Sequence, residues 1–223
     1  MPPDPPVTRQ GEARRDEIIA QAIDVFGESG YAGARIHELA RRVGIRQPSI
    51  LYHFPDKAAL YDAALGSVVA EISRRVEAAQ ASPRERLESI ADAWVDFVVA
   101  RPNAARLLLR QMIDAHPIPI RSIEAPVQAL IVALQAAIEE HTGPEAAKEL
   151  DAGELALVLA STSLVWVASR NAVEETLGLD TLSPVAIGRH RRTLHALTRQ
   201  LIAASRDARP APARGGRRET TSR

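Results

Sequence analysis

The stretch IHELARRVGIRQPSILYHF, residues 36–54, constrains this chain more than any other. It holds two short runs, 36–43 and about 46–53, with Gly44 between them. The first run places Ile36, Leu39, Ala40 and Val43 on one side of a helix. Gly44 can take the positive φ that a tight turn needs. Pro48 is tolerable only in the first turn of the second run, and Pro55 ends that run. A longer amphipathic run, about 10–29, comes before them with Ile18, Ala22, Val25 and Phe26 at helical spacing, and Gly30 is a plausible stop. Two short helices joined at a glycine and packed on a preceding helix make a three-helix helix-turn-helix unit. Ala40 is small where the helices cross, and Ile45 and Ile50 can fill the small core.

This arrangement leaves Arg46, Gln47, Pro48 and Ser49 at the exposed start of the third helix. That end enters the major groove when such units dock on DNA. Gln pairs bidentately with adenine and Arg with guanine. Tyr52, His53 and Lys57 follow, and their hydroxyl, imidazole and ammonium groups suit phosphates. Spacing alone also suits a solvated helical hairpin with no nucleic-acid role.

The rest of the chain reads as helix. Of 223 residues, 46% are hydrophobic but only 4% aromatic, and the apolar content is mostly Ala, Leu, Val and Ile. Start signals recur. Asp56 caps a helix running to about 79, Ser82-Pro83 with Glu85 forms a capping box, Asp151 and Glu154 repeat that spacing, and Ser183-Pro184 opens the last helix. Pro102 separates two helices, residues 116–119 form a stiff loop, residues 142–144 end another helix, and Gly178 is a stop. The expectation is an all-α chain of about nine helices with no strand. Residues 1–8 read as a disordered N-terminus, 9–55 as a helix-turn-helix domain, 56–205 as a larger helical domain and 206–223 as a disordered basic tail.

Formal charge is zero overall but uneven. Residues 35–57 carry +3, residues 67–205 carry −3 and the tail from 206 carries +4. No cysteine is present, which excludes disulfides and thiolate metal sites. There is no apolar run long enough for a membrane span and no signal-peptide pattern at the start, so the reading is a soluble cytoplasmic protein. His37, His53, His116, His141, His190 and His195 are scattered, and no nucleophile with its base, metal cluster or phosphate loop is evident. The expectation is no catalytic residue, no metal and no cofactor.

Residues about 8–65 also resemble the DNA-binding domain of the tetracycline-repressor (TetR) family. The likeness runs through RRDEIIAQAIDVFGESGYAGARIHELARRVGIRQPSILYHFPDKAALYDAAL. Phe26, Gly30-Tyr31, Leu39-Ala40, Gly44, Tyr52-His53-Phe54 and Asp56-Lys57 fall in register. The resemblance covers about the first third of the chain. It implies an all-helical homodimer that reads a palindromic operator, with a larger domain that dimerises through the last two helices and often binds a small effector. Two positions depart from the family pattern. Ala34-Arg35 stands where Thr or Ser usually caps the second helix, a loss of about 1 kcal/mol, and Arg35 becomes a candidate phosphate contact. Leu51 replaces a common Tyr, which places more of the DNA contact on Tyr52.

Residues 151–178 make the most apolar helix, hydrophobic nearly all round, and such a helix must be covered on more than one side. Self-association through this helix and the one at 184–205 would cover it, and so would burial within a monomer. By the resemblance, an effector pocket would lie among the helices of the larger domain. Its candidate linings are Trp94, Phe97, Arg110, Met112, His116, Trp166, Arg170 and Asn171, with Arg110 or Arg170 to fix an anion. Trp94 and Phe97 equally suit ordinary core. Together these readings describe a transcriptional regulator, a repressor released by its effector. The alternative is an architectural or partner-controlled DNA-binding protein with no small-molecule effector.

Overall fold

The structure is a computed structural model and describes residues 9–79, 85–114, 121–148 and 150–207. Among these the chain forms eleven α-helices and no strand. The first three are α1 (Arg9–Gly33), α2 (Ile36–Val43) and α3 (Gln47–His53). Gly30 interrupts α1 with φ 69° and ψ 174°, so the helix kinks there and continues for only three residues. Gly44 ends α2 at φ 73°, and the following N–H of Ile45 donates to Ala40 O at 2.9 Å. That is the left-handed helix stop for which glycine has no Cβ penalty. Helices this short are marginal in isolation. Here Leu39, Ala40, Val43 and Ile50 are buried against Ile18, Ala22, Val25 and Phe26 of α1.

α4 (Lys57–Ala78) begins at Asp56, whose carboxylate accepts from Ala59 N at 2.7 Å. α5 (Arg86–Ala100), α6 (Pro102–Ile113), α7 (Glu124–Thr142), the one-turn α8 (Pro144–Ala147), α9 (Ala152–Ala168), α10 (Arg170–Leu177) and α11 (Pro184–Asp207) follow. Asp151 caps α9 through Glu154 N at 2.8 Å, and Ser183 Oγ accepts from Ala186 N at the start of α11. Ser82-Pro83, the 116–119 loop, the first eight residues and the tail after 207 lie outside the described residues, whereas Glu85, expected at the third position of a helix, is instead the N-cap of α5, which begins at Arg86.

The helix count exceeds the expectation of about nine for two reasons. Pro144 starts the extra turn α8 after Gly143. The expected single helix at 151–178 is broken at Ser169, and its two parts meet at 62°. Ser169 is the C-cap of α9, with its N–H donating to Val165 O at 2.9 Å and its Oγ to the same carbonyl at 2.6 Å. Among the described residues no single helix is long and apolar enough to cross a membrane.

Two apolar clusters hold the molecule together. The larger runs from α1–α3 through Leu60, Tyr61 and Leu65 of α4 into Ala104, Ala105 and Leu107 of α6, and reaches Leu164 and Val167 of α9. The smaller joins Leu87, Leu134, Ile138, Ala147, Leu155 and Ile202. The core therefore continues across residue 55 without a break. A ladder of charges closes α11 onto α5. Glu88, Asp92 and Asp96, four apart on α5, meet Arg199, His195 and Arg191, four apart on α11. His195 Nε2 lies 3.0 Å and Arg191 Nη1 3.2 Å from Asp92, Arg199 lies 2.5 Å from Glu88, and Arg191 also bonds Asp96.

Candidate DNA-binding surface and its supports

Arg46 is the N-cap of α3, in extended conformation and with no side-chain cap bond. Arg46, Gln47, Pro48 and Ser49 are all exposed. The local fold explains why. Ile50 is fully buried and anchors the helix, while the residues that open it stand beyond the packed core and are left exposed. Tyr52 is 80% exposed, an unusual position for an aromatic ring. Its neighbour His53 meets it edge-on at 5.3 Å. Arg35 is exposed at the start of α2 and makes no side-chain cap bond, as the Ala34-Arg35 departure implied. The structure thus brings Arg35, Arg46, Gln47, Ser49, Tyr52 and His53 together around α2 and α3.

Lys57 is placed differently from its expected phosphate role. Its ammonium donates to Ala34 O at 2.8 Å and Ala32 O at 3.4 Å, and stands 4.5 Å from the Tyr31 ring. Burial holds its pKa below the usual lysine value. The charge is engaged in closing the end of α1 and the turn into α2. Two further cations belong to the neighbourhood. Arg15 of α1 stands over the Phe54 ring at 5.0 Å, and Arg41 is exposed on α2. Nothing in local spacing connects Arg15 with α3, because the contact is made only in the folded domain. Arg41 was visible in the sequence only as part of the local charge excess. Arg42, by contrast, is held by Glu28 at 2.7 Å and Glu38 at 3.3 Å. The hydrogen bond from Arg42 lowers the Glu28 pKa.

Behind this surface, α6 is fitted closely to α1. A Cβ on Gly27 would lie 2.3 Å from Asn103 O, so only glycine permits this approach. Asn103 Nδ2 donates to Asp24 Oδ1 at 3.0 Å. Arg110 donates to the carbonyls of Gly27 and Glu28, both at 3.3 Å. Its guanidinium is therefore turned to α1, not to the interior of the larger domain where an effector anion was expected. Tyr61, fully buried, bonds Gln111 Oε1 at 3.1 Å, and burial pushes its pKa up to about 12.

Of the other effector candidates, Phe97 belongs to the larger core cluster and Trp94 and Trp166 pack against it. Trp94 stacks on Phe97 at 5.9 Å, and Phe97 is wholly buried. The buried Trp94 indole N–H has no acceptor among the described residues. Trp166 stacks on His190 at 4.3 Å with rings 5° apart, and His190 Nε2 lies 3.0 Å from Ser163 Oγ. Met112 is half-exposed, and Asn171 is exposed. Arg170 pairs with Asp180 at 3.2 Å and Glu174 at 3.8 Å. His116 lies outside the described residues. Among the described residues no group of three or more His, Cys, Asp or Glu side chains could hold a metal ion.

The comparisons with known proteins agree with this architecture. The sequence profile of the family described as "Bacterial regulatory proteins, tetR family" matches residues 18–64. The HTH-type transcriptional regulator RutR of Escherichia coli K12 is 27% identical over 130 residues, 56% of this chain and 59% of RutR. The match thus spans about three fifths of that relative's length. The fold resembles the regulator FadR of Bacillus subtilis in complex with stearoyl-CoA, with TM-score 0.61 and 14% identity over 87% of this chain and 99% of FadR. It also resembles AibR in complex with isovaleryl coenzyme A and operator DNA, with TM-score 0.62 and 15% identity over 82% of this chain and 97% of AibR. The likeness to the family of bacterial regulatory proteins described as tetR is thus carried by residues 18–64, the part of the chain that holds α2 and α3.

Proposed function

We propose that this protein is a cytoplasmic, homodimeric transcriptional regulator that binds a palindromic operator and represses until a small molecule releases it. The observation that carries the reading is the exposed start of α3. Arg46, Gln47 and Ser49 are exposed on a three-helix unit with a buried core, with Tyr52 80% exposed beside them. Arg46 and Gln47 read base edges, Ser49 assists them, and Arg35, Tyr52 and His53 hold phosphates. The molecule acts by binding, not by catalysis.

Dimerisation is supported by apolar surface on two neighbouring helices. Leu157, Val158 and Val165 are exposed along α9, and Val185, Leu197 and Leu201 along α11. A second copy applied about a two-fold axis covers both stripes and supplies the second reading head that a palindrome requires. Effector control is supported by the two acyl-CoA complexes among the structural neighbours. A 100-fold loss of operator affinity requires about 2.7 kcal/mol of differential effector binding. The second reading, control by a partner with no small effector, is favoured by the placement of Phe97 in solid core and Arg110 on α1.

Selection from random-sequence DNA, followed by gel shift with competitor, tests the function. Native protein should recover a palindrome and bind it tightly. A folded Gln47→Ala, Ser49→Ala, Tyr52→Phe variant should lose it. No enriched sequence would overturn the reading, and equal binding by both would move the contacts elsewhere. Adding stearoyl-CoA, isovaleryl-CoA and free CoA to the bound complex then separates effector release from partner control.

A further inference from the structure

The joint between α6 and the reading head is mostly apolar, with Ala104, Ala105 and Leu107 of α6 buried in it. Apolar contact is non-directional. Ridge-into-groove packing selects a crossing angle but leaves a scatter of about 15–20°, which directional bonds can narrow. At the C-terminal end of this stripe, two adjacent residues of α6 make directional contacts to two different helices. Arg110 donates to the carbonyls of Gly27 and Glu28 on α1, and Gln111 bonds the buried hydroxyl of Tyr61 on α4.

The geometry on α1 is particular. The regular part of α1 ends at the Gly30 break, and the last carbonyls of a helix lack intrahelical partners. Arg110 supplies donors there, with its charge at the negative end of the helix dipole. A Cβ on Gly30 would sit 3.0 Å from the Arg110 guanidinium, so the break also makes room for it. Two turns earlier on α6, Asn103 bonds Asp24 at 3.0 Å. α1 is thus held at two points along its length, and α4 at a third.

We propose that Arg110 and Gln111 form a clasp that fixes the angle of each reading head, together with the start of α4 packed on it, to the rest of the larger domain, and so sets the operator half-site spacing that the dimer accepts. This rests on the DNA-binding, dimeric reading above. Arg110 and Gln111 are positioning residues that touch no DNA. They act by keeping α1 and α4 from pivoting on the apolar stripe.

The test uses the full chain and the selected operator, with a second DNA in which two base pairs are inserted between the half-sites. The insertion turns one half-site by about 70° relative to the other. Native protein should prefer the original spacing by at least about 30-fold, and an Arg110→Ala, Gln111→Ala variant by about threefold or less, because its heads can follow the rotated groove. Arg110→Lys, which keeps the charge but not the forked donor, should fall between them. Thermal melting establishes that each variant is folded. A merely structural role lowers the melting temperature and leaves the spacing preference unchanged, and that result overturns the proposal. If the double variant does not fold, Arg110→Lys decides by the same ratio. Native protein that binds no DNA overturns the functional reading itself, and native protein indifferent to spacing overturns the clasp.

Discussion

Arg35 stands where α2 would be better served by a short oxygen-bearing side chain. Its backbone is extended, with φ −122° and ψ 129°, the conformation of a capping residue, yet no side-chain bond forms. Arg35→Ser should therefore stabilise the protein by about 1 kcal/mol, read as a higher urea midpoint at unchanged slope. If Arg35 holds a phosphate, the same variant should reduce the salt slope of operator binding by about one. His190 gives a pH dependence. Burial depresses its pKa below the ordinary 6.5, so the folded chain refuses a proton that the unfolded chain accepts. Its effect on stability is absent above pH 6.5 and appears as the pH falls below it, down to the folded-state value. Relative to native protein, His190→Gln should lose part of the acid decline in urea midpoint. At this scale the sequence was legible where position is local: Arg46 to Ser49 are consecutive, lie at the start of α3, and all four are exposed. The contacts that Lys57 and Arg110 make within the protein were not legible, because their partners, Ala34 and Gly27, lie 23 and 83 residues away.

Among the helices, caps and stops were the reliable signals. Asp56, Asp151, Ser183-Pro184, Gly44 and Gly178 each mark an end in the structure, because a cap is a bond within three or four residues. The break at Ser169 was hidden, since a serine that ends a helix and one that merely sits in it look alike in sequence. The α5–α11 ladder was hidden too. Its spacing of four on both helices is visible only once the two are known to face each other. These pairs are partly exposed, and each is worth a fraction of a kcal/mol to about 1 kcal/mol. Replacing Glu88, Asp92 and Asp96 with their amides should cost about 1–2 kcal/mol at low salt. Most of that difference should vanish at 1 M NaCl, where screening reaches within about 3 Å. Denaturation at the two salt concentrations measures it.

For the whole molecule, the dimer proposal makes a simple demand. Val158→Glu with Val165→Glu places charges on the exposed face of α9 and away from either core cluster. Sedimentation should find native protein dimeric and this variant monomeric at the same concentration, with the helical signal unchanged and operator binding lost. A variant that sediments like native protein would put the interface on another face. The three-helix unit could be derived from sequence because its contacts are mostly short-range. The arrangement of the larger domain could not, because alanine- and leucine-rich helices pack in many orders.

Gly27 carries a last consequence. Its missing side chain admits the Asn103 backbone, so the identity of one residue in the head is set by the path of the chain 76 residues later. The head is not an interchangeable part. Moved onto another scaffold of this fold, it would seat correctly only where the sixth helix approaches as closely. A head with alanine at this position, grafted here, would be pushed off its seat before it met any DNA. Lineages that recombine heads and bodies must therefore exchange this contact as a unit, and chimeras built in the laboratory should carry residues 103–111 along with the head.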